Sequence, residues 1–407
     1  VPGCGDLAGR DRVSAPGHVL VVGASASGLS TAEALRRKGY QNRLTVLGAE
    51  PHLPYDRPPL SKQVLAGLWS PERVQLRQPA ALSTLDAEFL LDDPATRLDV
   101  AERAVHTASG RVLTADVVVV ATGLRPRVLP GQAGLRGVHV LRTLDDALAL
   151  RSALLSCSRL VVVGDGVLGA EIAATARGMG VAVTLAGPQP APLAAQLGPL
   201  AAGLLGELHA ENGVDLRLGA AVTGLTERDG DVTGVCLADG ETLPADLVVV
   251  ALGAAPVTEW LADSGLTLDN GLVCDSRCRA AEGVYGVGDV ARWHHETLDT
   301  VLRLENRTNA VEQAGVVAGN ILGEDRPYTP VPYFWTDQFD AKVHVHGIPR
   351  ADAEVSIVEG STADRRFVAT YHRDGAVVGV LGWNMPKQAR LRRRELVANS
   401  ALVEGKP

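Results

Sequence analysis

The stretch Leu160–Glu171, LVVVGDGVLGAE, decides the fold. Apolar residues run into Gly164-Asp165-Gly166-Val167-Leu168-Gly169, a G-x-G-x-x-G, and a helical pattern follows. Between a buried strand and a helix, the first glycine makes a tight turn. The second lets a pyrophosphate approach the backbone, and the third lets helix and strand pack closely. The phosphate then meets the free N–H groups and the positive dipole end of the helix. A lone match is a weak signal, but His18–Leu35 reads HVLVVGASASGLSTAEAL, a second strand, Gly turn and helix. Gly23 and Gly28 hold its outer positions, and the small Ser25 holds the middle one.

A longer repetition supports the first. Residues 104–126, AVHTASGRVLTADVVVVATGLRP, align without a gap on residues 234–256, GVCLADGETLPADLVVVALGAAP. Ser109-Gly110 matches Asp239-Gly240 as a hairpin turn, and Ala115-Asp116 matches Ala245-Asp246. Each copy ends in an apolar strand with Gly123 or Gly253. A repeat in fixed order predicts two related dinucleotide-binding units in an α/β chain.

The 407 residues suggest about two to four domains, and a hydrophobic fraction of 46% can fill several cores. A net charge of −8 gives no support for nucleic-acid binding. No apolar run approaches the roughly 20 residues of a membrane helix. Residues 1–17 carry no hydrophobic signal core and read as a disordered extension of a cytoplasmic protein. The five cysteines, Cys4, Cys157, Cys236, Cys274 and Cys278, form no C-x-x-C, which fits a reducing compartment. Cys274 and Cys278 are close enough for a disulfide or half a metal site, but no second pair or His cluster completes one.

Residues 18–50 read as β-α-β. The strand Arg43–Leu47 is followed by Gly48-Ala49-Glu50, with Glu50 as the candidate for the ribose hydroxyls of an adenosine. Next comes LPYDRPPLSK, Leu53–Lys62, stiffened by three prolines and carrying Asp56, Arg57 and Lys62. This segment resembles the RPPLSK signature of the flavin-dependent, NADH-using ferredoxin reductases of the putidaredoxin reductase type, a signature shared by apoptosis-inducing factor. Further matches are ATG at Ala121–Gly123, LRTLDDA at Leu141–Ala147 and GVGDVA at Gly286–Ala291. RLE (Arg303–Glu305), NAVEQA (Asn309–Ala314) and FWTDQF (Phe334–Phe339) extend the resemblance over nearly the whole chain.

The resemblance implies a two-nucleotide flavoprotein of the glutathione-reductase type. The FAD domain is expected over residues 18–147 and 255–326, the NAD domain over 148–254, and a C-terminal α+β interface domain over 327–407. Gly23, Ser25, Ser27 and Gly28 would hold the FAD pyrophosphate, with Arg57 nearby. Ala95, Thr122, Gly123 and Gly253 join the cofactor contacts. Lys62 would lie near flavin N5 and pair with Glu171, and Arg142 would touch the isoalloxazine side. Asp289, placed by Gly288 at a helix N-terminus, would bind the ribitol. Glu305, Asn306 and Arg307 would approach the flavin pyrimidine and the nicotinamide, and Trp335 the flavin edge. Gly164, Gly166, Val167, Leu168 and Gly169 would hold the nicotinamide dinucleotide.

The family usually carries an acidic residue at position 187 when NADH is used. Here Gly187 stands there, and GPQPAPLAAQ (187–196) supplies no Arg or Lys for a 2′-phosphate either. NADH is expected over NADPH, and Gly187→Glu is expected to strengthen NADH binding by restoring a ribose contact. At the C-terminus, YTPVPY (Tyr328–Tyr333) reads as a linker. Alternating strands follow, such as Lys342–His346 and Arg366–Tyr371, with an Asp374-Gly375 turn. PKQARLRRREL (Pro386–Leu396) is a helix-like basic run, read either as a solvated face or as a docking patch for an acidic protein.

Disulfide reductases of this fold place a cysteine pair beside the flavin. The first unit has no such pair, and the second holds only Cys157 and Cys236, so electrons are expected to leave one at a time to an external carrier. The expected reaction passes them from NADH through FAD to an acidic [2Fe–2S] ferredoxin serving an oxygenase such as a cytochrome P450. The cofactor supplies the chemistry and the protein the positioning. The alternatives are direct reduction of a small molecule, and a redox signalling role like that of apoptosis-inducing factor.

Overall fold

A computed structural model describes residues 15–349 and 352–403. Cys4 and most of the extension read at residues 1–17 lie outside them. In the first unit, the strand His18–Val22 pairs in parallel with Arg43–Leu47 on one side and Val117–Val120 on the other. Glu88–Leu90 and Val284–Gly286 extend the sheet in parallel, and Arg279–Ala281 adds an antiparallel edge. In the second unit, Arg159–Val163 lies between Ala182–Gly187 and Leu247–Val250, with Asp215–Leu218 and Val138–His139 outside them, all parallel. The runs VVVV at Val117–Val120 and LVVV at Leu247–Val250 are buried throughout. Such continuous apolar runs suit parallel strands covered on both faces.

The repeat holds at the level of single hydrogen bonds. Asp116 Oδ2 accepts from the His18 amide at 2.9 Å, and Asp246 Oδ2 from the Arg159 amide at 3.0 Å. Each Ala-Asp pair therefore ties the start of the strand that follows it to the start of the strand that leads into its unit's Gly turn. The Gly23 amide donates to the Leu47 carbonyl at 2.7 Å, and the Gly164 amide to the Ala186 carbonyl at 2.8 Å. This register equates Gly48 with Gly187, and Glu50 with Gln189.

The last sheet is antiparallel, in the order Tyr333–Gln338, Ala341–Gly347, Ala376–Trp383, Arg366–Arg373, Glu354–Ser361. Asp374 and Gly375 have φ of 51° and 77°, the left-handed pair of a tight hairpin. The helix Pro386–Val403 lays Ala389 and Leu396 against Val368 and Val380 of this sheet. Tyr328–Tyr333 is less free than a linker. Tyr328 is buried, its amide donates to Ser276, and its carbonyl accepts from Trp293 Nε1. The largest core is continuous across units, joining Leu60 and Val64, the second parallel sheet, and Val343, Phe367 and Trp383. The C-terminal sheet thus packs on the second nucleotide unit and on the segment after the prolines.

Candidate active site

Lys62 sits on a single wide turn, Leu60–Val64, that follows Pro58 and Pro59. Its Nζ donates to Glu171 Oε2 at 2.6 Å, and the two side chains are 13% and 6% exposed. A buried pair of this kind needs further hydrogen bonds to offset desolvation. Here Ser61 Oγ donates to the same oxygen at 2.6 Å, and Thr336 Oγ1 to Oε1 at 2.9 Å. Gln338 Nε2 donates to Thr336 at 2.9 Å, and His209 Nε2 donates to Gln338 Oε1 at 2.7 Å. Every donor in this chain points toward the Glu171 carboxylate. The expected Lys62–Glu171 pair is therefore formed, but its support comes from all three units. Ser61, Thr336, Gln338 and His209 escaped the sequence reading. The alternation in FWTDQF was the signal, since it puts Thr336 and Gln338 on one face. Burial lowers the His209 pKa, partly offset by its bond to Gln338.

The first Gly turn forms a cradle. A Cβ on Gly23 would collide with the Ala121 carbonyl, and one on Gly28 with the Gly23 carbonyl. Ser25 occupies the cap position of the helix Ala26–Arg37 without capping it, so the first helical N–H groups stay free for an anion. Ser27 is buried, and a Cβ on Gly288 (φ 76°) would lie 2.7 Å from its Oγ. Arg57 donates to Glu50 Oε1 at 2.7 Å and to the Arg142 carbonyl at 2.7 Å, and Arg142 pairs with Asp289 at 3.5 Å. Four separate segments thus converge on one place. Burial raises the Asp289 pKa against the opposing pull of Arg142. Arg142 Nε is buried with no partner. That orphaned donor and the open helix end fit an FAD.

Asp289 lies in one short turn, Gly288–Val290, so the helix expected after Gly288 is a single 3₁₀ turn leading into the strand Ala291–His295. Ala95 follows a segment tied to the end of the second strand, where the Asp92 amide donates to Glu50 O at 3.1 Å and the Asp93 amide to Gly48 O at 3.0 Å. Thr122 Oγ1 donates to Val257 O at 2.8 Å, and the Val257 amide to Gly123 O at 2.9 Å. The Arg127 amide donates to Gly253 O at 3.0 Å, so both returning strands cross near the two glycines. Asn306 caps the helix Arg307–Ile321, accepting from the Asn309 amide at 2.7 Å. Glu305 pairs with Arg303 at 2.7 Å, and Arg307 with Asp56 at 2.6 Å. Trp335 lies on the face of its strand opposite Thr336, stacked on Tyr333 at 5.9 Å.

In the second unit, Cβ atoms on Gly164 and Gly169 would collide as in the first, while one on Gly166 meets nothing. Val167 is half-buried and Leu168 is exposed at that open end. Position 187 needs a correction. A Cβ on Gly187 would fall 2.7 Å from Asp165 Cβ and closer still to its carboxylate. A glutamate at position 187 would have to displace the Asp165 side chain before it could reach a ribose.

Tyr333 also stacks on His346 at 4.7 Å, and its hydroxyl is 2.8 Å from His344 Nδ1. These rings line a cavity of about 500 Å³ together with Lys387, Arg390 and Arg393. The three cations recur at helical spacing on one face. Arg392 lies off that face and pairs with Glu395 at 2.9 Å. The basic run is therefore divided, with its cavity side made by residues 387, 390 and 393. Cys274 and Cys278 are buried thiols, and burial raises both pKa values, that of Cys278 to about 12.

Two nucleotide-type units meeting at a buried Lys–Glu pair define a two-dinucleotide flavin oxidoreductase. The comparisons agree. Residues 17–314 match the pyridine nucleotide-disulphide oxidoreductase family and residues 333–405 the reductase C-terminal family. The chain belongs to the pyridine nucleotide-disulphide oxidoreductase family, whose cofactors are FAD and NAD(P)H. It is 34% identical to rhodocoxin reductase of Rhodococcus erythropolis, over 95% of this chain and 90% of that one. It is 34% identical to putidaredoxin reductase of Pseudomonas putida, over 96% and 94%. A ferredoxin reductase structure for the CYP199A2 system of Rhodopseudomonas palustris superposes with a TM-score of 0.90 at 33% identity, covering 93% of each chain. A covalent putidaredoxin reductase–putidaredoxin complex gives 0.89 at 33% identity, covering 94% and 93%. Among the described residues no helix is long and apolar enough to cross a membrane.

Proposed function

We propose that this protein is a ferredoxin reductase that carries electrons from NADH through FAD to a [2Fe–2S] ferredoxin serving an oxygenase such as a cytochrome P450. The observation that carries the reading is the basic face of Lys387, Arg390 and Arg393 beside the Trp335–Tyr333–His346 ring stack, on a chain of net charge −8. An acidic protein would be steered there, and the aromatic side chains would line a path for electrons from the flavin. Bound FAD would supply the change from two-electron to one-electron transfer. Ser25, Ser27 and the Gly23–Gly28 turn would hold its pyrophosphate. Glu50 would hold the adenosine ribose, Asp289 the ribitol, and Arg142 the ring side. Lys62, aimed by Glu171, would donate a hydrogen bond at the ring nitrogen that receives electrons, where an ammonium favours added negative charge. The free thiols Cys157, Cys236, Cys274 and Cys278 support a cytoplasmic setting. Other relatives, the rubredoxin–NAD(+) reductases, name a different iron protein, so the carrier is part of the test.

The test replaces Lys387, Arg390 and Arg393 together by Gln. Ferredoxin reduction at low salt is expected to fall about tenfold and to lose most of its salt dependence, with flavin reduction by NADH intact. Unchanged rate and salt slope in a folded variant would place the docking face elsewhere.

A further inference from the structure

We propose that Asp165 selects the nicotinamide cofactor, accepting from the adenosine 2′-hydroxyl of NADH and repelling the 2′-phosphate of NADPH, with Gln189 as its positioning residue. This rests on the reading that NADH is the preferred donor. The register of the two units equates Ala24 with Asp165 and Glu50 with Gln189. The side-chain space confirms the match. A Cβ on Gly48 would lie 2.7 Å from Ala24 Cβ, and one on Gly187 2.7 Å from Asp165 Cβ. The acidic group has thus changed places. In the first unit it follows the second strand, as Glu50. In the second unit it comes from the Gly turn and reaches across into the same region.

Asp165 is 4% exposed. Its Oδ2 accepts from the Gln189 amide at 2.7 Å and its Oδ1 from Gln189 Nε2 at 2.8 Å. Gln189 Oε1 accepts in turn from the Ala195 amide at 2.7 Å. No cation is among these partners, so the carboxylate is buried without a neighbouring positive side chain among the described residues. Such a group is costly for a fold alone, and a break of the local rule marks a functional site. The adenosine ribose of a dinucleotide lies at the end of the second strand of its unit. A carboxylate accepts from a hydroxyl there and opposes a phosphate.

The test compares NADH and NADPH on the FAD-loaded protein, with ferricyanide as acceptor, and binding of 2′,5′-ADP by calorimetry. For Asp165→Asn, the NADPH/NADH ratio of kcat/KM is expected to rise at least about tenfold and 2′,5′-ADP to bind about fivefold more tightly. An unchanged ratio and affinity in a well-folded variant would reduce Asp165 to a staple for the 187–195 loop. Gln189→Glu carries the test independently, because it faces Asp165 with a second carboxylate. The KM for NADH should rise with pH between 5 and 8 while kcat holds, and a flat KM would overturn the proposal. If the unaltered protein preferred NADPH, the donor reading itself would fail, a result distinct from either variant's.

Discussion

The two nucleotide units share strand order, Gly turn and hairpin, yet they grip differently. The first is enclosed by residues from elsewhere in the chain. Arg57, Arg142 and Asp289 converge beside Glu50 and Ser27, which suits a cofactor that stays. The second has an open middle glycine, Gly166, and a loop latched by one carboxylate, which suits a cofactor that must leave. One backbone plan is therefore surrounded in two different ways, and the side chains around it make the difference.

The sharpest way to break the comparison is a matched pair of variants. Gly28→Val and Gly169→Val place the same side chain against equivalent carbonyls, at a cost of about 3 kcal/mol or more in each unit. The first should yield protein that fails to take up FAD, seen in the absorption spectrum. The second should stay yellow but resist bleaching by NADH. If both lost FAD, the units would not act separately. Next in size is Glu171→Gln, which leaves Lys62 buried without a countercharge. It should cost about 3 kcal/mol of stability and slow flavin reduction in stopped-flow traces more than it raises the KM for NADH.

Gly187→Glu is expected to weaken NADH binding by about threefold to tenfold, because it must displace the Asp165 latch. Tighter binding would mean that Asp165 moves aside easily. The smallest effect concerns pH. Burial holds the His209 pKa below its ordinary value of 6.5. The unfolded chain then binds the proton more readily, so this contribution is complete above pH 6.5 and is lost as pH falls below it. Unfolding temperatures measured from pH 7.5 to 5 should drop less for His209→Gln than for the unaltered protein. Equal slopes would remove His209 from the account.

Much of the architecture was legible because it depends on local rules. Both fingerprints, the hairpin turns at Gly110 and Gly240, and the left-handed pair at Asp374-Gly375 are set by backbone sterics that a short window reveals. The Lys62–Glu171 pair was accessible only through the RPPLSK resemblance, since 109 residues separate its members. Position 187 differs from the expectation for a physical reason. A sequence shows that Gly187 lacks a side chain, but not that a neighbouring strand turn fills the space.

By itself, the sequence determined two parallel nucleotide-binding units in a fixed order, a C-terminal sheet, and a cluster of basic residues on one helix. Period, turn chemistry and repetition are properties of consecutive residues, and they survive without knowledge of the rest of the chain. Only the tertiary structure decided how the basic run divides, with Lys387, Arg390 and Arg393 on the cavity and Arg392 bound to Glu395. It also decided that Thr336, Gln338 and His209 support Glu171, and that Asp165 occupies the space beside Gly187. Those outcomes depend on which distant side chains compete for the same buried volume and the same hydrogen bonds, and only packing settles that competition.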